Sequence, residues 1–200
     1  QRMTQAGVMI ARGNLTNWVH RSAALLAPIY GVVLASVLQG KIITIDETPL
    51  KAGPEEKGKL HKGYIWVLYG DKNEAAFLYS PTRGLSAIEP LVKQFSGVLV
   101  TDGYAVYEKV TGRYKNIEHA LCWAHTRREF FEAREYEPER CQRALDFIQR
   151  LYAIEAEIRE RNLTDTKKQQ YRVEHSREVV EQFFEWLKKE TAHAALLPKN

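Results

Sequence analysis

Hydrophobic and polar positions follow three different patterns along this chain. Residues 1–39 carry apolar side chains at helical spacing, and Pro28 divides the segment into two short predicted helices. Residues 40–121 hold short apolar runs separated by turn signals and brief helical stretches, which predicts the order β-β-β-α-β-α-β. Short loops make the first three strands an antiparallel meander, whereas each strand-helix-strand step adds a parallel strand. The fold class is therefore α/β, with a mixed sheet and a helical lead-in.

The last part of the chain is helical and highly charged. Pro138 precedes a predicted helix that runs from Arg140 to about Arg161, and another helix follows from about Asp165 to Glu190. The two form a predicted antiparallel hairpin that is joined near Asn162. Glu alternates with Lys or Arg on their outer faces, which is typical of a solvated surface.

Two of the apolar strands end in an aspartate. The stretch from Lys41 runs through Ile-Ile-Thr-Ile to Asp46 and is closed by Pro49, and the stretch Gly-Val-Leu-Val-Thr leads to Asp102. If the strands are neighbours, both carboxylates project from the same end of one sheet. Two close carboxylates repel each other, and a divalent metal relieves that repulsion. The alternative is that each Asp is a turn or cap residue, since Asp-Gly is a common turn signal.

Composition narrows the class of protein. The 200 residues carry a formal net charge of +4 and a pI near 9.0, which is compatible with a polyanionic partner. The two cysteines are fewer than a secreted scaffold uses, so we expect a reducing cytoplasm. No uninterrupted run approaches 18 apolar residues, so no membrane span is expected. A start at Gln1 suggests a piece of a longer protein.

A third stretch combines metal-ligating and basic residues: His119-Ala-Leu-Cys122-Trp-Ala-His125-Thr-Arg127-Arg128. Histidine and cysteine at intervals of three invite a zinc interpretation, but structural zinc normally takes four ligands in paired spacings. The alternative for Cys122 is a small core residue. The paired arginines suit either a phosphate clamp or the start of a surface helix. In the lead-in, a helix-turn-helix DNA reader is a further alternative, although basic residues are sparse there.

Three motifs together resemble one family. Asp46-Glu-Thr-Pro, Thr101-Asp102-Gly-Tyr-Ala-x-Tyr and Cys122-Trp-Ala-His125-x-Arg-Arg-x-Phe resemble transposases of the insertion sequence 66 family, of the DDE group. The resemblance covers almost the entire chain and implies a ribonuclease-H-like catalytic core. It implies a helical lead-in over residues 1–39, an incomplete core over 40–135 and a truncated helical insertion over 136–200.

The resemblance also implies chemistry. Asp46 and Asp102 are the expected catalytic acids and the ligands of magnesium or manganese, in a two-metal site in the complete protein. Cys122 and His125 match the Cys-x-x-His signature of several DDE groups. The expected partners are DNA, as transposon ends and target, and further copies of the chain on that DNA. The expected phosphate contacts are made by four basic residues, Lys59, Lys62, Arg127 and Arg128.

The chain departs from the family at the third acid. The family places a glutamate in an Asn-x-x-Glu-Arg segment near its C-terminus, and the printed sequence has no such segment. Glu129 and Glu132 are candidates for a substitute acid, but they precede the helical insertion, whereas the family's acid follows it. We therefore expect a truncated catalytic domain that binds metal weakly and does not cleave or join DNA alone. The alternatives are a nuclease of the same fold and a non-catalytic DNA-binding or assembly fragment.

Overall fold

The computed structural model describes residue 7, residues 10–52 and residues 60–192. They belong to two compact units, which comprise residues 1–121 and residues 122–200. The described part of the first unit has five strands: β1 (Ile42–Ala52), β2 (His61–Gly70), β3 (Ala75–Ser80), β4 (Gly97–Thr101) and β5 (Ile117–Leu121). They form one sheet in the order β3-β2-β1-β4-β5. β2 is antiparallel to β1 and β3, and β4 is parallel to β1 and β5, so the predicted mixed sheet is confirmed.

Strand β1 is longer than predicted. Pro49 was expected to close it, but pairing with β2 continues past Pro49↔Tyr64 to Ala52↔His61. In the described residues β1 pairs with β4 only from Ile42 to Thr44, so Pro49 lies where β1 is an edge strand. A proline, which has no N–H to donate, is tolerated at such an edge.

Two short helices and the end of the first helix bury one side of the sheet. Helices α2 (Leu85–Val92) and α3 (Ala105–Thr111) follow β3 and β4, as predicted. Apolar side chains of strands and helices form one buried core: Val37, Ile43, Ile45, Trp66, Leu68, Ala76, Ile88, Val92, Phe95, Leu99, Tyr107, Val110 and Ile117. The alternation of buried and exposed residues along β1 follows from the period of two in a strand.

The lead-in is one helix and not two. Helix α1 (Arg12–Leu38) runs continuously through Pro28, so the predicted break is wrong. A helix-turn-helix needs a turn between two helices, and residues 12–38 have none. An internal proline removes one backbone hydrogen bond. Residues 23–27 (Ala-Ala-Leu-Leu-Ala) are strong helix formers, which favours continuation on the N-terminal side of the proline.

Helix α1 is also unusually apolar for its exposure. An 18-residue window has a mean hydropathy of 1.7 with only 6% of it buried, so by length and composition the helix is able to cross a membrane. The expectation of no membrane span was based on uninterrupted apolar runs, whereas α1 reaches this mean hydropathy with polar residues scattered among its apolar ones. Some core helices of soluble proteins and some signal sequences are equally long and apolar.

Gly97 begins β4 with a backbone that other residues rarely adopt. Its φ is +149°, and a Cβ added there would lie 2.4 Å from the carbonyl oxygen of Lys41. That same oxygen accepts a hydrogen bond of 2.9 Å from the N–H of Val98. The glycine therefore allows β4 to come close to the residue that precedes β1.

The second unit is helical. Its elements are α4 (Trp123–Glu132), a 3₁₀ turn (Ala133–Glu135), α5 (Pro138–Glu160) and α6 (Asp165–Ala192). Contacts between Arg140 and Glu190 and between Arg172 and Glu155 confirm the predicted antiparallel hairpin, and Asn162 in the connection has a φ of +51°. Its core is an aromatic cluster with Ala144 and Leu187: Phe183, Trp186, Trp123, Phe130 and Phe147.

Candidate functional site

The register of β1 and β4 places the two predicted acids. The parallel pairing ends at Thr44↔Val100, and Asp46 and Asp102 each lie two residues farther along. Because side chains alternate between faces with a period of two, continuing the register sets both acids at the same end and on the same face of neighbouring strands. Asp46 is exposed and Asp102 is half-buried. The strand placement agrees with the sequence prediction, and the role of the acids in metal binding stays a prediction.

Local backbone groups orient both carboxylates. The Oδ1 atom of Asp46 accepts a hydrogen bond of 2.9 Å from the N–H of Glu47. The Oδ1 atom of Asp102 accepts one of 3.0 Å from the N–H of Tyr104, which is the Asx turn that its neighbouring glycine suggests. The two interpretations of Asp102 raised from the sequence therefore both hold: it follows a strand, and it also stabilises a turn.

A buried acid lies next to Asp46 and was missed by the sequence prediction. The side chain of Glu47 is 2% exposed, and its Oε1 accepts a hydrogen bond of 2.5 Å from Nε of Arg83. Its Oε2 accepts a hydrogen bond of 2.6 Å from the hydroxyl of Tyr107. We call Glu47, Arg83 and Tyr107 the Glu47 triad. A buried carboxylate needs such partners, because an unpaired one is costly.

The burial of the Glu47 side chain was predictable from its odd-numbered position in β1. Residues at odd positions of β1, such as Ile43 and Ile45, face the core, and Glu47 has the same parity. Its Tyr107 partner lies in the motif that contains Asp102. Arg83, in contrast, comes from the connection between β3 and α2, where no periodicity indicates which way a side chain points.

Tyr107 reports the negative charge around this site. Burial raises the pKa of Tyr107 far above its usual value, and the hydrogen bond to Glu47 and the charges of Glu47, Asp102 and Asp46 raise it further. The phenol therefore stays protonated and acts as a hydrogen-bond donor. The charges of both predicted acids thus act on the ionisation of this one hydroxyl.

The zinc interpretation finds no support in the described residues. His119 lies on β5, and its Nε2 is 2.8 Å from Oγ1 of Thr101. Burial lowers the pKa of His119, although the charge of Glu108 acts in the opposite direction. Cys122 precedes α4 and His125 lies in its first turn. Across residues 10–52 and 60–192, no three His, Cys, Asp or Glu side chains form a group that could hold a metal ion.

The predicted basic contacts are spread over the chain. Arg127 and Arg128 are exposed on α4, where Arg127 is 5.8 Å from the ring centroid of Phe131. Lys62 is exposed on β2, and Lys59 lies outside the described residues. These positions are compatible with phosphate contacts and equally with a solvated surface, so the nucleic-acid role of these residues stays a prediction.

Curated proteins of Sinorhizobium fredii (strain NBRC 101917 / NGR234) are similar to this chain. The uncharacterized protein y4qI is 28% identical over 201 residues, which cover 92% of the chain and 36% of y4qI. The uncharacterized protein y4jD is 27% identical over 175 residues, which cover 80% of the chain and 34% of y4jD. The uncharacterized protein y4hP is 26% identical, and the aligned region covers 93% of the chain and 37% of y4hP. The chain thus spans about a third of the length of these curated relatives.

The family resemblance is confirmed by a match to the whole chain. The family described as "Transposase IS66 family" matches residues 1–200, which include the two strand-end acids, the Glu47 triad and the Cys122-x-x-His125 segment. This chain belongs to the IS66 family of transposases.

Proposed function

We propose that this chain is part of the catalytic region of a DNA transposase that cleaves and joins DNA strands in a metal-dependent reaction. The observation that carries the proposal is the shared position of Asp46 and Asp102, each two residues beyond the pair Thr44↔Val100. Family membership supports a transposase-related function for the whole protein. The assignment of the two acids as catalytic residues is our own.

We also propose that the sheet is that of a ribonuclease-H-like core. The order β3-β2-β1-β4-β5, with an antiparallel meander followed by two parallel strands, supports this assignment. In this arrangement the acids lie at the carboxyl ends of adjacent parallel strands, where sheets of mixed α/β proteins commonly bind ligands.

The two carboxylates fit a hard divalent cation. Their oxygens are the ligand type that magnesium and manganese prefer, and the exposure of Asp46 leaves space for water and phosphate. A bound metal pair would activate an attacking oxygen and stabilise a leaving oxygen in an in-line displacement at phosphorus. Asp46 and Asp102 would hold the metal, and the family's third acid would complete the site.

The proposed substrate is DNA, namely transposon ends and target. The net charge of +4 and the exposed Arg127, Arg128 and Lys62 support contacts to phosphate without regard to base sequence. We further propose a cytoplasmic protein that assembles with other copies on DNA. A nuclease of the same fold would cut without joining, and a strand-transfer assay on the complete protein with labelled ends separates these two activities.

Manganese binding tests the proposed site directly. We expect Asp46→Asn and Asp102→Asn each to weaken binding of Mn²⁺, measured by an electron paramagnetic resonance titration, and to leave the circular dichroism spectrum unchanged. Glu118→Gln is the matched control, because Glu118 is an exposed acid of the same sheet that pairs with Val98 near the start of β4, away from the carboxyl ends of the strands. Equal binding by the wild type and both aspartate variants would contradict the proposal.

A further inference from the structure

From the contacts of Glu47 we infer that it is a positioning residue and not a third metal ligand. The Glu47 triad fixes β1 against α3 and against the connection that carries Arg83, and so sets the separation of Asp46 and Asp102. This inference rests on the proposed function for the role of those two aspartates.

Asp46 and Glu47 are adjacent acids, so both could be expected to bind metal. The geometry shows that their side chains have different surroundings. Glu47 and Asp46 are consecutive in a strand and therefore project from opposite faces of the sheet. Asp46 is exposed, whereas the Glu47 side chain is 2% exposed. Both Glu47 oxygens already accept a hydrogen bond, from Arg83 and from Tyr107. Glu47 is thus directed away from the face on which Asp46 lies.

The triad joins three separate segments of the first unit. Glu47 comes from β1, Arg83 from the connection after β3, and Tyr107 from α3. Tyr107 is 0% exposed and packs edge-on against Trp66 with ring centroids 6.2 Å apart. Because every member is hydrogen-bonded and the tyrosine is buried, the three segments are held together at one point.

A continuous series of contacts leads from this point to Asp102. The guanidinium of Arg83 lies 4.1 Å from the ring centroid of Tyr104. The N–H of Tyr104 donates to the carboxylate of Asp102. At the other end, Glu47 is the residue after Asp46 and its N–H donates to the Asp46 carboxylate. The contacts of the triad therefore connect Glu47, whose N–H binds Asp46, to Tyr104, whose N–H binds Asp102.

The triad also contains one positive charge, which acts on Asp102. The Arg83 side chain is 44% exposed and pairs with the Glu47 side chain, which is 2% exposed. The charges of Glu47 and Asp102 both act on Arg83. Loss of any member loosens the link, and loss of Arg83 additionally leaves a buried carboxylate without its cation.

The decisive experiment compares Tyr107→Phe with Glu47→Gln in the 200-residue chain, with Mn²⁺ as the probe. A positioning role predicts that both variants weaken Mn²⁺ binding by about tenfold, as changes beside metal ligands commonly do. Tyr107→Phe keeps the Glu47 carboxylate and removes only its hydrogen bond. If Glu47 were a ligand, Tyr107→Phe would leave binding equal or tighter while Glu47→Gln reduced it, and that result would overturn the inference.

Two controls separate positioning from general stability. Arg113→Met breaks an Arg–Glu pair of the same unit, Arg113–Glu89, whose glutamate is 30% exposed, and should leave Mn²⁺ binding unchanged. Val92→Ala loosens the same core but keeps all three residues of the triad, so it should lower the melting temperature but not the affinity. Weakening by Val92→Ala equal to that by Tyr107→Phe would assign the triad a purely structural role.

The aspartate variants separate failure of this inference from failure of the proposed function. Unchanged binding in Asp46→Asn and Asp102→Asn would overturn both together. Weakened binding in those variants with unchanged binding in Tyr107→Phe would overturn the positioning role alone. If Glu47→Gln does not fold, Arg83→Lys replaces it, because lysine keeps the charge and lacks the planar fork that holds Oε1.

Discussion

Asp46 and Glu47 show how one residue of strand register decides the surroundings of a side chain. Both are acids in the same motif, yet one is exposed and the other is enclosed by Arg83 and Tyr107. The position of Asp46 was predictable because an apolar run precedes it, and the burial of Glu47 was predictable from parity with Ile45. The choice of Arg83 as partner was not, since it depends on the path of a loop and on long-range contacts.

At the same scale, His119 gives a prediction for the dependence of stability on pH. Burial lowers the pKa of His119 below its unfolded value, so the unfolded chain binds a proton more readily than the folded chain. Stability is therefore fully present above about pH 6.5 and is lost as the pH falls through the lower folded pKa. We expect the urea midpoint of the wild type to fall between pH 7 and pH 5 by more than that of His119→Gln. Parallel pH dependence in the two proteins would contradict this expectation.

Among the elements, helix boundaries were predicted less well than element order. The sequence of strands and helices between residues 40 and 121 is confirmed because each apolar run is bounded by a turn signal. Helix α1 was divided wrongly at Pro28, since a proline lowers helix propensity but does not forbid a helix, and strong helix formers precede this one. Strand β1 passes Pro49 for a related reason, because an edge strand does not need every N–H.

Two arginines of helix α4 are predicted to contact DNA. Charge reversal at both Arg127 and Arg128 should weaken non-specific binding to duplex DNA and flatten its dependence on salt, because fewer counterions are released. Fluorescence anisotropy across a salt series measures both quantities. The matched control is reversal of Lys188 and Lys189, an adjacent exposed pair on α6. The same salt slope before and after reversal of the arginines would indicate a solvated surface.

At the scale of the whole molecule, the two compact units are stabilised by contacts of different range along the chain. The first unit depends on pairing between distant strands, whereas the second depends on helices that are close in the chain. Helical spacing and the short connection at Asn162 made the hairpin predictable. The aromatic contacts that fill it, such as the edge-on packing of Trp123 against Phe183 with centroids 5.2 Å apart, were not.

This division predicts that residues 122–200 fold when expressed alone. Their buried cluster around Phe183 and Trp186 comes entirely from within the segment, so removal of residues 1–121 takes away none of it. We expect a helical circular dichroism spectrum and a cooperative urea transition, and Phe183→Ala should lower the free energy of unfolding by about 3–5 kcal/mol. A fragment with no cooperative transition would show that the cluster is insufficient.

The close approach at Gly97 extends the list of positions on which the acids depend. Any larger residue there would push its Cβ into the backbone at Lys41 and shift β4 relative to β1. In a saturation mutagenesis screen of the complete transposase, we expect nearly all substitutions at Gly97 to be lost from the active pool. Tolerance of alanine there would contradict this. Gly97 has no functional group and lies five positions from Asp102, so selection for DNA chemistry would act on a residue that takes no part in it.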